Sequence, residues 1–234
     1  MGSPEDSINK KKKLIIQIPC LNEEEQLPET LSELPREVPG IDVVEWLVID
    51  DGSTDDTVEI AFRNGVHHVV RLPQNRGLAS AFQAGLDAAL KLGADIVVNT
   101  DADNQYSSSD IPKLVEPIVQ GRADLVIGDR DTKNIDEFSS LKKKLQSLGS
   151  GLVRWVSKTQ VADATSGFRA YSRDAALQLS VVNQYTYTIE SIIQAGRSNA
   201  AIESVVVGTN PSTRPSRLFG STRTTMALMR AKAW

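Results

Sequence analysis

The 234-residue chain holds a single cysteine, Cys20, so no internal disulfide can form, and a reducing cytosol is the compartment this fits. Its two histidines, His67 and His68, are neighbours with no metal-ligand spacing to each other or to cysteine, which argues against a His/Cys metal site. No stretch approaches the roughly 18 consecutive apolar residues of a membrane span. The basic start MGSPEDSINKKKK is not followed by an apolar segment of signal-peptide length. Neither an internal repeat nor a low-complexity linker divides the chain, so one domain is expected. A net charge of −4 argues against general nucleic-acid binding, and no nucleic-acid partner is expected. Acids are also missing from one region: none follows Glu203, whereas Arg214, Arg217, Arg223, Arg230 and Lys232 do.

What is present is an alternation. Apolar residues make up 40% and charged residues 24%, the balance of a globular chain. LIIQIP (14–19), VVEWLVID (43–50), HVVRL (68–72), DIVVNTD (95–101) and DLVIGD (124–129) read as strands. Their near-continuous hydrophobicity suggests burial on both faces, as in a parallel sheet. Helical spacing falls between them, at 27–34, 55–64, 77–92 and 109–120, with Asp55 and Ser109 placed to cap two of these helices. Leu78, Phe82, Leu86 and Leu90 recur every four residues, predicting one core-facing helix stripe. The second half is less regular: a basic helix near 139–158, a short strand GFRAYS, a helix at 186–195 and a strand at 202–208. This order predicts an α/β fold, a doubly wound, mostly parallel sheet flanked by helices, with ligands at the carboxyl ends of its strands.

Polar residues gather at those ends. The first strand exits into Asn22 and Glu23, the second into Asp50, Asp51, Gly52 and Ser53, the fourth into Asp101 and Asp103, and the fifth into Asp129 and Arg130. Each is an ordinary turn residue taken alone. Acids converging on one sheet edge repel one another unless a cation or ligand donors compensate. A D-x-D pair on a loop can bring two carboxylates to one divalent ion, and Mg²⁺ and Mn²⁺ prefer such oxygen ligands together with substrate phosphates.

PCLNEEEQLPETL, VIDDGSTDDT, NRGLASAFQAGL, DADNQY and DATSGFRAYSR follow one another in an order and spacing that resemble a family 2 glycosyltransferase of GT-A fold. The likeness covers about residues 13–217 and is nearest to the dolichyl-phosphate mannose synthase and polyprenyl-phosphate glycosyltransferase group. Residues 1–12 then read as a flexible basic segment and 218–234 as a basic amphipathic tail. The resemblance implies a nucleotide-sugar donor, GDP- or UDP-linked, a Mg²⁺ or Mn²⁺ cofactor and inversion at the sugar carbon. It places Pro19, Leu21, Asn22, Glu23, Asp50 and Asp51 around the nucleoside. Asn75 and Gly77 lie along the ribose and diphosphate, with Asp101, Ala102 and Arg214 also on the donor side. Asp101, Asp103 and Gln105 would hold the metal, and Asp103 and Asp163 would stand at the reacting centre. Arg130, Lys143, Ser147, Arg169 and Arg217 would surround the phosphate of a polyprenyl-phosphate acceptor. Asn104 and Tyr106 depart from the group, where Leu or Gly and His or Asp are common.

A phosphate acceptor needs little base catalysis, because its second pKa of about 6 leaves it a dianion at neutral pH. A hydroxyl acceptor, soluble or oligosaccharide, would instead need a base such as Asp163. A non-catalytic nucleotide-sugar-binding module is a further alternative. A nucleotidyltransferase would carry a glycine-rich, basic loop after the first strand, where this chain has the acidic PCLNEEE. Cys20 beside that loop reads as a spacer. The acid-free tail, with Leu218, Phe219, Met226, Leu228, Met229 and Trp234 among its cations, suggests peripheral contact with the cytoplasmic membrane face.

Overall fold

LIIQIP is apolar on both faces, and it takes a central place in the sheet where both faces are covered. In the computed structural model, which describes residues 11–130, 161, 163–182 and 187–210, it forms β1 (Lys13–Cys20). Around it lie β2 (Val43–Asp50), β3 (His68–Arg71), β4 (Ile96–Asn99), β5 (Leu125–Asp129), β6 (Arg169–Ser172) and β7 (Ile202–Val206). Among the described residues these form one seven-stranded sheet of order β3-β2-β1-β4-β6-β5-β7. The helices are α1 (Leu27–Glu33), α2 (Thr57–Arg63), α3 (Leu78–Lys91), α4 (Ile111–Val119), α5 (Arg173–Gln178) and α6 (Tyr187–Arg197). The chain builds outward from β1 to β3 and then returns to add β4 on the other side of β1, making a topological switch between β1 and β4.

The period of two along each strand sorts side chains into two cores. Leu14, Ile16 and Ile18 of β1 meet Trp46, Val48, Ile96 and Val98 under α1, α2 and α4. Ile15 joins Leu47, Ile49 and Val97 under α3, α5 and α6. Each fully buried aliphatic side chain contributes on the order of 1.5–3 kcal/mol. α3 lies so close to the sheet that a Cβ on Gly85 would stand 2.7 Å from both Ile49 Cδ1 and Gln17 Oε1.

Every strand but β6 points the same way; β6 runs antiparallel to both β4 and β5. With Asn99 opposite Arg169, the start of β6 lies at the edge where β4 ends. That edge therefore collects the exits of β1, β2, β4 and β5 and the entry of β6.

Several local expectations need correcting. Leu78 is 41% exposed because it opens α3 at the sheet edge; the buried face is Ala79, Phe82, Gly85, Leu86 and Ala89. Ser109 lies inside a 3₁₀ turn (Ser108–Asp110) that leads into α4, whose N-cap position is Asp110. α2 has Asp56 at its N-cap position, yet the Asp55 carboxylate accepts from Thr57 N at 3.1 Å, so Asp55 does the capping one residue early. α5 is unanticipated; Ser172 caps it by accepting from Ala175 N. The expected basic helix at 139–158 and the tail lie outside the described residues.

Candidate active site

The D-x-D loop begins on a buried polar post. Asn99 is fully buried at the end of β4; its Oδ1 accepts from Gln17 Nε2 at 2.9 Å. Its Nδ2 donates to Gly167 O at 2.9 Å and Tyr187 Oη at 3.1 Å, so the amide stitches β1, β4, the loop before β6 and α6 together. Asp101 follows two residues on. Ala102 is buried, and its carbonyl accepts from Thr30 Oγ1 of α1 at 2.8 Å, which fixes the loop from below. Asn104 takes a left-handed backbone conformation at φ 52°, letting Gln105 N reach back to Asp103 Oδ1 at 3.2 Å.

Asp101 is pushed up to about 7, by burial first and by the charge of Asp103 second, with Arg130 opposing the shift. Two carboxylates that crowd each other in this way fit a divalent cation. Among the described residues no group of three or more His, Cys, Asp or Glu stands at metal-ligand spacing. Mg²⁺ is often held by one or two carboxylates, with water and phosphate completing its shell. Gln105, the third expected ligand, is anchored here through its backbone, its carbonyl accepting from Asn210 N at 2.9 Å.

Beside this loop stands a buried ion pair. Arg130, just past β5, donates from Nε to Asp163 Oδ2 at 2.7 Å and from Nη2 to Asp163 Oδ1 at 3.1 Å, a two-pronged contact. Nη2 also donates to Thr165 Oγ1 at 2.9 Å, and Thr165 in turn donates to Asp163 Oδ1. Burial works to raise the Asp163 pKa, but the Arg130 hydrogen bonds and charge overrule it and hold the carboxyl below its ordinary value. Asp163 is therefore ionised and committed to Arg130. It reaches the expected edge as the partner of a cation, and a free general base is not what the structure presents.

Tyr106 connects the two. Its ring stacks on Phe168 at 5.0 Å and lies 5.9 Å from the Arg130 guanidinium carbon. Its hydroxyl accepts from Gly167 N at 3.0 Å and is pushed up to about 12, chiefly by burial.

The expectation for Arg169 as a phosphate contact is not met. Its guanidinium is fully buried and donates to the carbonyls of Ser166 (2.7 Å), Thr188 (2.6 Å) and Ala164 (2.9 Å) and to Ser191 Oγ (2.8 Å). A cation so engaged holds the 163–168 loop against α6. Lys143, Ser147, Arg214 and Arg217 lie outside the described residues.

The expected donor-side residues meet at the same edge and clasp one another. Pro19 lies opposite Ile49 one residue before β1 ends, and the fully buried Asp50 ends β2 opposite Cys20; Asp50 accepts from Ser53 N at 2.8 Å and pairs with Arg71 at 3.1 Å. Leu21 leads into Asn22, whose Oδ1 accepts from Thr54 N at 2.9 Å while its own N donates to Ser53 Oγ. Glu23 is buried, and its N donates to Thr57 Oγ1 at 2.9 Å. Asp51 accepts from Arg76 N at 2.7 Å and Gly77 N at 2.8 Å, so it shapes the loop before α3. Asn75 supports the same turn, its Oδ1 accepting from Gly77 N at 3.0 Å. Gly52, at φ 81°, permits this approach: a Cβ there would lie 2.6 Å from the carbonyl carbon of Gln74. Cys20 is buried and its thiol raised, first by burial and then by Glu23 and Asp50, which bears out its reading as a spacer.

Sequence reasoning passed over Asn99, Gly167 and Asn210. Only Asn99 carried a signal, as an amide inside an apolar strand.

The sequence model described as Glycosyl transferase family 2 matches residues 15–180. The chain is 31% identical to the UDP-N-acetylglucosamine–dolichyl-phosphate N-acetylglucosaminyltransferase of Methanococcus voltae, over 82% of this chain and 83% of that protein. It is 32% identical to the undecaprenyl-phosphate mannosyltransferase of Micrococcus luteus, over 81% and 80% of the two. Among solved structures it resembles glucosyl-3-phosphoglycerate synthase of Mycobacterium tuberculosis in complex with Mn²⁺, uridine-diphosphate-glucose and phosphoglyceric acid. That match has a TM-score of 0.71 and 25% identity, over 95% of this chain and 80% of the other.

Proposed function

The chain belongs to glycosyl transferase family 2, with a GT-A fold, and from that premise we propose that it moves a hexose from a nucleotide sugar to a polyprenyl phosphate, inverting the sugar carbon. The observation that carries this reading is the juxtaposition at one sheet edge of a crowded carboxylate pair, Asp101 and Asp103, with the Arg130–Asp163 ion pair. The relatives named for dolichyl- and undecaprenyl-phosphate supply the acceptor class.

Asp101 and Asp103 would hold a Mg²⁺ or Mn²⁺ ion, which when bound supplies Lewis-acid stabilisation of the departing nucleoside diphosphate. The protein's own work is positioning. Asp51 sets the 75–77 turn at the start of α3, where the donor's ribose and diphosphate would run. Arg130 offers positive charge for an acceptor phosphate, and Asp163 keeps the guanidinium aimed. A phosphate dianion needs no proton removed, so an ionised, paired Asp163 suits it better than it suits a hydroxyl acceptor. The basic residues Lys143, Arg214 and Arg217 would add to the same field.

Nucleoside diphosphate release, measured with GDP- and UDP-sugars and Mn²⁺ in the presence and absence of a polyprenyl phosphate, tests this. Stimulation by the lipid phosphate is expected. Stimulation by a soluble phosphorylated acceptor alone would favour a second reading, which the resemblance to the phosphoglycerate-bound synthase supports. Among the described residues no helix is long and apolar enough to cross a membrane. For lipid access at the cytoplasmic membrane face the acid-free tail is our candidate for peripheral contact; flotation with anionic liposomes at low and high salt tests that contact.

A further inference from the structure

The D-x-D loop is supported by a segment from the far end of the described chain. Gly208 O accepts from Ser107 N at 3.2 Å, Tyr106 and Thr209 form an antiparallel bridge, and Asn210 N donates to Gln105 O. Below them Asp110, buried at the start of α4, accepts from Gly208 N at 2.6 Å. Within this ladder the Asn210 side chain is used unusually. Its Nδ2 donates to Asn104 O at 3.0 Å and lies 3.4 Å from Asn104 Oδ1.

The peptide unit between Asn104 and Gln105 is thereby held at both ends. Its carbonyl accepts from Asn210, and its N–H donates to Asp103 Oδ1 at 3.2 Å. Since a peptide is a rigid plane, fixing the carbonyl fixes the direction of the N–H. The plane follows the left-handed turn at Asn104, which a non-glycine residue adopts at a cost. The loop thus has reason to relax if the carbonyl is released.

We infer that Asn210 is a positioning residue for Asp103: through the Asn104–Gln105 peptide it sets the direction in which that carboxylate faces. The inference rests on the reading of Asp103 as a metal ligand, and outer partners of this kind are worth about 10–100-fold in metal affinity.

Asn210→Ala tests it, because the variant keeps the backbone bond from Asn210 N to Gln105 O and removes only the side-chain donor. Two measurements are made on the full chain without donor or acceptor. The first is hydrogen exchange at the Gln105 amide, expected to quicken roughly tenfold in N210A. The second is the apparent affinity for Mn²⁺ alone, read from thermal stabilisation, expected to weaken about tenfold in N210A. Against Asp103→Asn, adding N210A should produce no further loss of Mn²⁺ affinity. An equal loss in both backgrounds would show that Asn210 acts other than through Asp103 and would overturn the inference, as would an unchanged Gln105 amide. A wild-type protein with no Mn²⁺ response sinks the metal reading by itself; the amide then decides the positioning claim, faster exchange upholding it and unchanged exchange refuting it.

Discussion

Gly167→Ala is a one-methyl perturbation aimed at the centre of the site. A Cβ at that position would stand 2.8 Å from Tyr187 Oη and 3.2 and 3.3 Å from the two carboxylate oxygens of Asp101. Tyr187 cannot yield cheaply, because its ring stacks 4.2 Å from Phe82 and its hydroxyl accepts from Asn99. Much of the strain therefore falls on the Asp101 carboxylate, which must shift to make room. Overpacking of this kind costs about 1–3 kcal/mol. For a chain of this size that corresponds to a fall in Tm of roughly 2–12 °C. Displacing one of two candidate ligands should raise the Mn²⁺ concentration needed for half-maximal nucleoside diphosphate release by about tenfold or more. Thermal melts and a Mn²⁺ titration of donor turnover measure the two effects separately. A variant with wild-type Tm and an unchanged metal requirement would refute the close packing of Gly167 on Asp101 and the role argued for that carboxylate.

Asp103→Ala, in a half-buried loop position outside both cores, should abolish metal-dependent turnover with a Tm change of less than roughly 2 °C, checked by a Mg²⁺ and Mn²⁺ titration alongside a melt. Arg130→Ala should cost about 3–5 kcal/mol in denaturant unfolding, because it strands the buried Asp163 carboxylate; the double variant Arg130→Ala/Asp163→Ala should recover part of that loss. Arg130→Lys keeps the charge but loses the fork, so the acceptor KM should rise by roughly tenfold while the donor KM holds, which steady-state kinetics would reveal. Burial works to raise Glu45, but hydrogen bonds from His68 and Lys13 take it below its ordinary 4.5. A depressed carboxyl stabilises the fold above its unfolded pKa and loses that contribution as pH falls through its folded value. Stability should therefore drop below about pH 4.5, and Glu45→Gln should flatten the decline in acid melts.

Much of the parallel sheet and its polar edge was legible because the signals are local. Strands buried on both faces announce themselves as apolar runs, and the acids at their exits follow from strand direction alone. What escaped the sequence depends on distant partners. Arg169 could be placed at the right edge, but an arginine that will serve carbonyls reads the same as one that will bind phosphate. The difference lies in Thr188 and Ser191, which α6 delivers from 19 and 22 residues away. Asp163 was expected as a carboxylate at the reacting centre, and its pairing with Arg130 across 33 residues could not be foreseen. Asn210 meets Asn104 across 106 residues, and nothing in TNPS distinguishes it from a turn. Leu78 misled because periodicity records a helix face and says nothing of where the sheet beneath it ends.

β6 joins β4 to β5, and neither of those strands bonds directly to the other. Cutting it out would not trim the sheet but divide it, into a β3-β2-β1-β4 slab and a β5-β7 ribbon, each with a freshly unpaired edge of buried apolar strand. Such edges invite pairing between chains. The β3-β2-β1-β4 slab therefore cannot be harvested as a free-standing module by truncation before residue 169: the strand that covers the open edge of β4 is also the one that ties β5 to the sheet.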